Sequence, residues 1–142
     1  MTDEADLRAR HLEALQKLIS RLSQNSFTVR GWSITLVTAA FALIASQSLD
    51  RRIVLFALLP TVIFWGLDAS YLRTERLFRA LYDAAVHRLN DSTQPDIPPF
   101  DMDTKPFKKV AASWVRLLFS ASVVVVPAIM AAVIVGYVVI RP

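Results

Sequence analysis

Residues 117–140 read LLFSASVVVVPAIMAAVIVGYVVI, a run of 24 residues without a charged side chain. A helix rises about 1.5 Å per residue, so this run is long enough to cross the roughly 30 Å hydrocarbon core of a bilayer with some tilt. Apolar runs of this length are typical of transmembrane helices. We therefore predict a transmembrane helix within residues 110–142.

Two further apolar runs precede this one. Residues 31–45 read GWSITLVTAAFALIA, residues 53–72 read IVLFALLPTVIFWGLDASYL, and a polar turn at Asp50, Arg51 and Arg52 separates them. The first run reaches the ~20 residues that a bilayer requires if it is extended through Phe27 and Leu49. A pair of buried core helices in a soluble protein is the alternative, but the rest of the chain is too small to cover them. We predict a transmembrane hairpin over residues 31–72.

Charged helices and a linker complete the predicted architecture. Residues 1–30 carry an apolar stripe at three- and four-residue steps, which predicts an amphipathic cytoplasmic helix. Nothing interrupts the second apolar run before residues 73–90, so one rod over residues 53–89 would be about 55 Å long. The segment 91–109 holds four prolines and is predicted to be a linker. The predicted fold is all-α: an integral membrane protein with three transmembrane helices and cytoplasmic helical extensions, assembled as a homo-oligomeric bundle.

Composition argues against an enzyme. Hydrophobic residues make up 54% and charged residues 20%, and there is no cysteine. His11 and His87 lack the spacing of metal ligands, and three glycines are too few for a phosphate-binding loop. We expect no catalytic site, no metal and no cofactor.

The distribution of cations predicts the orientation. Lys and Arg number five in residues 1–30, two in the turn, eight in residues 73–116, and one at Arg141. The positive-inside rule then places the amino terminus in the cytoplasm and the carboxyl terminus outside. Trp32, Trp65 and Trp114 all fall near the predicted inner interface, where indoles are enriched.

Asp68 is the first candidate for a pore or gate, because an ionisable group at membrane depth usually faces protein or water. In the other interpretation it pairs with Arg30 or Arg73 at the interface. Thr35, Thr38 and Ser120 are further pore candidates, although such hydroxyls often bond to their own helix. Pro60 and Pro127 are hinge candidates, or prolines that the helices simply tolerate.

Small residues recur along two of the predicted helices. They are Gly31, Thr35, Thr38, Ala42 and Ala45 on the first, and Ala128, Ala132 and Gly136 on the third. Such stripes allow close helix packing, within one subunit or between subunits. A three-helix protomer has little interior, which favours a homo-oligomer, with a tetramer as the specific prediction.

Two groups of cations are candidates for binding a phosphate-bearing ligand. They are Arg73, Arg76 and Arg79 on the rod, and Lys105, Lys108 and Lys109 before the third apolar run. Guanidinium groups suit phosphate, but basic residues beside a membrane also attract anionic lipid headgroups.

A pattern of short motifs extends over about residues 10–85. It consists of Gln24-Asn25-Ser26-Phe27, Gly31-Trp32-Ser33, Phe64-Trp65, Leu67-Asp68, Tyr71-Leu72-Arg73, Glu75-Arg76-Leu77-Phe78 and Leu81-Tyr82. This pattern resembles the SLATT-type family of small bacterial membrane proteins encoded in phage-defence islands. The resemblance implies a pore-forming effector in the bacterial inner membrane. It also implies control by a nucleotide or single-stranded oligonucleotide from a co-encoded nucleotidyltransferase, as in Hailong-type systems.

Two functions are therefore predicted as alternatives. In the first, the protein is an oligomeric ion channel that acts in anti-phage defence and is gated at its cytoplasmic helices. In the second, it is a membrane anchor or adaptor that recruits a soluble partner and conducts nothing.

Overall fold

The computed structural model describes residues 2–47, 56, 58–91, 93 and 95–140, and all regular structure within them is helical. This confirms the all-α class. In chain order the elements are α1 (Thr2–Gln47), α2 (Leu58–Asn90), a short 3-10 helix (Lys105–Lys109), α3 (Trp114–Leu118) and α4 (Ala121–Ile140). The turn predicted at Asp50, Arg51 and Arg52 lies outside the described residues, and so does Arg141.

Helix α1 joins the predicted cytoplasmic helix and the first apolar run into one element of 46 residues. Its first turn holds Asp3 and Glu4, whose negative charges interact favourably with the positive end of the helix dipole. No proline interrupts the sequence where the charged half changes to the apolar half. At about 1.5 Å per residue, α1 is roughly 69 Å long.

Helix α2 runs antiparallel to α1 and makes the most extensive packing in the molecule with it. Gln16 near the start of α1 donates to the hydroxyl of Tyr82 near the end of α2, at 2.7 Å. Farther along α1, Arg30 meets Asp68 nearer the start of α2. As predicted, α2 continues from apolar into charged sequence without a break, over 33 described residues.

The seam between α1 and α2 passes through both halves of this hairpin. In the charged half, Leu15 and Leu81 are fully buried. Toward the apolar half the buried residues become polar, and Ser26, Ser33 and Asp68 lie in the interior. The hairpin is therefore closed by aliphatic packing at its charged end and by a polar cluster near its middle.

The third apolar run differs from the single helix predicted for it. Helix α3 is capped by the Ser113 hydroxyl, which accepts from the Arg116 backbone N–H at 3.3 Å, and it ends at Leu118. Helix α4 begins two residues after Phe119 and continues through Pro127 to its end. It packs against both α1 and α2, so the apolar end of the molecule has three helices and the charged end has two.

A small hydrophobic core joins α4 to the hairpin. Val37, Ile134 and Val138 are buried there, and the rings of Phe41 and Tyr137 meet edge to face with centroids 5.1 Å apart. Edge-to-face geometry is a favourable arrangement for aromatic pairs. This core fixes α4 beside the apolar half of α1.

Two stretches are long and apolar enough to cross a membrane, Asp3–Leu43 and Ala121–Ile140. Only 17% of each apolar window is buried inside the molecule, whereas a core helix of a soluble protein would be mostly buried. Large apolar side chains such as Ile34, Leu43, Ile129 and Val139 are exposed instead. The apolar run at 53–72 was predicted as a third span, and its first part lies outside the described residues.

Candidate functional site

Asp68 lies in the interior of the hairpin, where α2 changes from apolar to charged sequence. The Ser26 hydroxyl donates a hydrogen bond to its Oδ1 atom, and the Nε atom of Arg30 donates to its Oδ2 atom at 2.7 Å. The Asp68 side chain is 4% exposed and that of Arg30 is 30% exposed. A buried carboxylate thus has both a charged partner and a hydroxyl donor, which is the arrangement that makes a buried charge tolerable.

The spacing of α1 explains this arrangement. Ser26, Arg30 and Ser33 recur at steps of four and three residues, so they share the face that packs on α2. Of the two partners considered for Asp68, the structure pairs it with Arg30. Within the described part of the chain, the Nε atom of Arg73 is buried without a hydrogen-bond partner.

The surroundings of the ion pair are closely packed. A cavity of about 10 Å³ lies beside Asp68, between Thr61, Phe64 and Pro127. This is about the volume that one water molecule requires. Trp65 closes one side by donating from its indole to the Leu118 carbonyl at 3.0 Å. The described residues around the Asp68 carboxylate therefore leave room for about one water molecule.

The other pore candidates lie apart from Asp68. Thr35 and Thr38 are on the exposed surface of α1, and the Thr35 hydroxyl donates back to the Gly31 carbonyl at 3.0 Å. Ser120 is at the break between α3 and α4, with its hydroxyl 3.4 Å from that of Ser122. Within one protomer, the buried Asp68 carboxylate therefore lies apart from the hydroxyls of the other pore candidates.

Both stripes of small residues face outward. Gly31, Thr35, Thr38 and Ala42 are exposed on α1, and Ala128 and Ala132 are exposed on α4. A Cβ atom added to Gly31 or Gly136 would meet nothing within 4 Å. The side chain of Ala45 lies outside the described residues. Apart from Gly136, which is half-buried, the described stripe residues are therefore available for packing outside the protomer.

The six candidate cations do not line one common groove among the described residues. Arg79 borders a groove between α1 and α2, and its guanidinium pairs with Glu75 at 2.7 Å. Arg76 is exposed and Arg73 is half-buried on the same helix. Lys105, Lys108 and Lys109 are exposed on the 3-10 helix, whose Pro106 and Phe107 face a different groove beside Ala84 of α2.

A second polar cluster lies at the charged end of the hairpin. The Oδ1 atom of Asp96, in the linker, accepts from Arg8 of α1 at 3.1 Å and from Arg88 of α2 at 3.4 Å. Hydrogen bonds from Arg8 and then Arg88 lower the pKa of Asp96 below its ordinary value. Bonds to Glu4 and Asp96 likewise raise the pKa of Arg8. The linker therefore bridges the free ends of both long helices.

A second contact holds the same linker on α1. The Nε2 atom of buried His11 lies 3.1 Å from the Asp101 carbonyl, which can only accept, so this nitrogen is the donor. The ring of Phe100 packs on His11 with centroids 6.1 Å apart. Phe100 adopts a φ of 66°, a left-handed conformation that is unfavourable for a residue with a Cβ atom. We call the segment 95–101 the strap.

Neither the bond from Ser26 to Asp68 nor the bridge from Arg8 through Asp96 to Arg88 was predicted from the sequence. The α1 periodicity carried a signal for Ser26, since it lies four residues before Arg30 on the same face. The bridge joins residues 88 positions apart, and local periodicity holds no information on such a pair. The chain matches no known protein-family model, and no curated protein and no solved structure is significantly similar to it.

Proposed function

We propose that this protein is a homo-oligomeric membrane channel, whose pore forms between copies rather than through one. In this proposal α4 and the apolar halves of α1 and α2 cross the membrane, and the charged halves lie in the cytoplasm. The observation that carries it is the outward position of both stripes of small residues. The cation distribution supports the orientation.

Outward stripes favour association between copies. Lipid tails are as apolar as leucine side chains, so helices in a bilayer associate through close backbone approach at small residues. Gly31 and Ala42 provide such a surface on α1, with the Thr35 and Thr38 hydroxyls between them. Assembly through this surface would place hydroxyls at the contact between copies. We propose a tetramer as the assembly to test.

The Arg30–Asp68 pair is the proposed gate. It joins α1 to α2 near the predicted cytoplasmic interface, and each partner would be left unpaired in low dielectric if the helices separated. A movement of the charged halves would reach the apolar halves through this pair, because both long helices are continuous. The gate thus couples the cytoplasmic end to the spanning segments.

The biological role in this proposal is that of an effector in bacterial anti-phage defence, opened by a nucleotide or oligonucleotide signal. That part rests on the SLATT-like pattern in residues 10–85 and not on the fold. It predicts that expression with a cognate nucleotidyltransferase depolarises the cell and stops growth. Depolarisation would be followed with a voltage-sensitive dye, and unchanged potential and growth would refute it.

The channel proposal is tested with purified protein in liposomes and in detergent. Ala42→Leu fills the outward stripe and should lower the oligomer mass to that of the monomer and reduce the ion flux at least tenfold. Ala39→Leu adds the same side chain roughly 60° around the helix, also at an exposed position, and should change neither. A chain that stays monomeric and never conducts would refute the channel and favour the anchor.

A further inference from the structure

The two arginines that hold the strap come from opposite ends of the hairpin sequence and converge on one carboxylate oxygen. We propose that Arg8 and Arg88 form a binding site for a soluble phosphate-bearing anion, and that Asp96 occupies this site in the unliganded protein. Ligand binding would then release the strap. The binding itself does not depend on the proposed channel, and only its effect on gating rests on that function.

The two arginines that form the site are more deeply buried than the Asp96 side chain that occupies it. The side chains of Arg8 and Arg88 are only 20% and 22% exposed, whereas that of Asp96 is 56% exposed. Both arginines line a small cavity together with Leu12, Ala85 and Leu89 of the two helices. The cations are thus held by the rigid hairpin, while the carboxylate approaches from the solvent side.

Phosphate matches these donors better than a carboxylate does. Asp96 offers a single oxygen to both arginines, and the bonds to it are 3.1 and 3.4 Å long. A terminal phosphate carries more charge and three oxygens, so the two guanidinium groups would no longer share a single acceptor oxygen. Asp96 has the advantage of being tethered, which corresponds to a millimolar effective concentration for a short flexible connection. A phosphate ligand at millimolar concentration would compete with it.

The position of the site identifies the source of the ligand. Arg88 lies twenty residues beyond Asp68 on the continuous helix α2, which is roughly 30 Å along its axis. A lipid headgroup at the predicted interface near Asp68 would not reach it. The ligand is therefore a soluble anion from the cytoplasm in the proposed orientation.

Release of the strap would be transmitted along the chain. The strap leads directly to the 3-10 helix and then to α3 and α4. His11 and Phe100 hold the remainder of the strap on α1, so loss of the Asp96 bridge would weaken one of its two attachments. The site thus links a soluble signal to the segment that precedes the last apolar helix.

The experiment uses pyrophosphate as the probe and the full chain in detergent, with binding measured by titration calorimetry. Asp96→Ala should bind pyrophosphate at least tenfold more tightly than the native chain, because the carboxylate that both arginines share is gone, although Glu4 still pairs with Arg8. Adding Arg88→Gln to Asp96→Ala should abolish the gain, and adding Arg10→Gln should not, since Arg10 pairs with Asp6 rather than with Asp96. Hydrogen exchange of residues 95–101 should rise when pyrophosphate binds the native chain.

Two results would overturn the proposal. One is an Asp96→Ala chain that binds no more tightly than the native chain. The other is a tight complex that persists after Arg88→Gln. Helix content by circular dichroism verifies folding, and Arg88→Lys, which keeps the charge but loses the fork, replaces Arg88→Gln if that variant does not fold. Conductance is not a readout here, so a failed channel proposal and a failed anion site give separate results.

Discussion

The two halves of the hairpin are built from the same two helices but are closed in different ways. In the charged half, Leu15 and Leu81 are buried between α1 and α2, and the Asp96 bridge ties the free ends. In the apolar half, α4 joins as a third helix around Val37 and Ile134, and one ion pair marks the boundary. One seam therefore passes through two environments.

This difference shows how the surroundings determine what holds helices together. A leucine buried in the charged half leaves water on folding, so the hydrophobic effect contributes to its packing. In the proposed membrane-inserted state, a side chain buried in the apolar half leaves lipid tails instead, and only packing contributes. The exposed surface of the apolar half is accordingly rich in large apolar and small residues, and that of the charged half in ion pairs.

The largest effect is expected at the boundary between the halves. Asp68→Asn leaves the Arg30 guanidinium partly buried without a counter-charge, and we expect a loss of about 4 kcal/mol in stability. Arg30→Gln combined with Asp68→Asn should cost less stability than the sum of the two single changes, because the double variant has no charge left at either position. Thermal unfolding in detergent micelles, followed by circular dichroism, measures both. Strict additivity would show that the pair does not couple the helices.

The second comparison concerns matched core positions. Leu81→Ala should cost roughly 3 kcal/mol, as both a transfer free energy and a cavity contribute. Ile134→Ala is equally buried but should cost about half as much, since transfer from lipid to protein gains little. The same unfolding measurement applies to both variants. Equal costs would indicate that α4 leaves water on folding, and would contradict membrane insertion.

The smallest effect concerns pH and the strap. Because the pKa of Asp96 is lowered in the folded chain, its bridge contributes stability above its ordinary pKa of 3.8, and this contribution is lost as the pH falls through the lower folded value. The Asp96 carboxyl resonance should therefore titrate below 3.8 in the native chain. Arg88→Gln should move the midpoint upward. A native midpoint at or above 3.8 would show that the arginines do not hold this carboxylate.

Much of the fold was predictable because it depends on short-range patterns. The continuous passage of α2 from apolar into charged sequence follows from the lack of a helix breaker after Pro60. The interruption at Phe119 and Ser120 was not predicted, because neither residue is a strong breaker and the apolar run continues through them. The length of an apolar run indicates whether it can span a membrane, but it does not indicate where a helix ends.

The candidate site was predictable only in part. Asp68 stood out because a carboxylate beside an apolar run requires an explanation, and Arg30 was one of its two considered partners. The choice between Arg30 and Arg73 needed the register of α1 on α2, which depends on the packing of the whole seam. The bridge from Arg8 to Asp96 and Arg88 joins three segments that are distant in sequence, and nothing local marks it.

The sequence alone determined the helical class, the three apolar runs and the asymmetry of charge, because each depends on the composition and periodicity of neighbouring residues. Only the tertiary structure decided that Asp68 pairs with Arg30, that the small-residue stripes face outward and that the linker is fastened to both helix ends. These features depend on how two long helices align and which faces they bury. That alignment is the sum of many weak contacts along the seam, and no single segment of the chain specifies it.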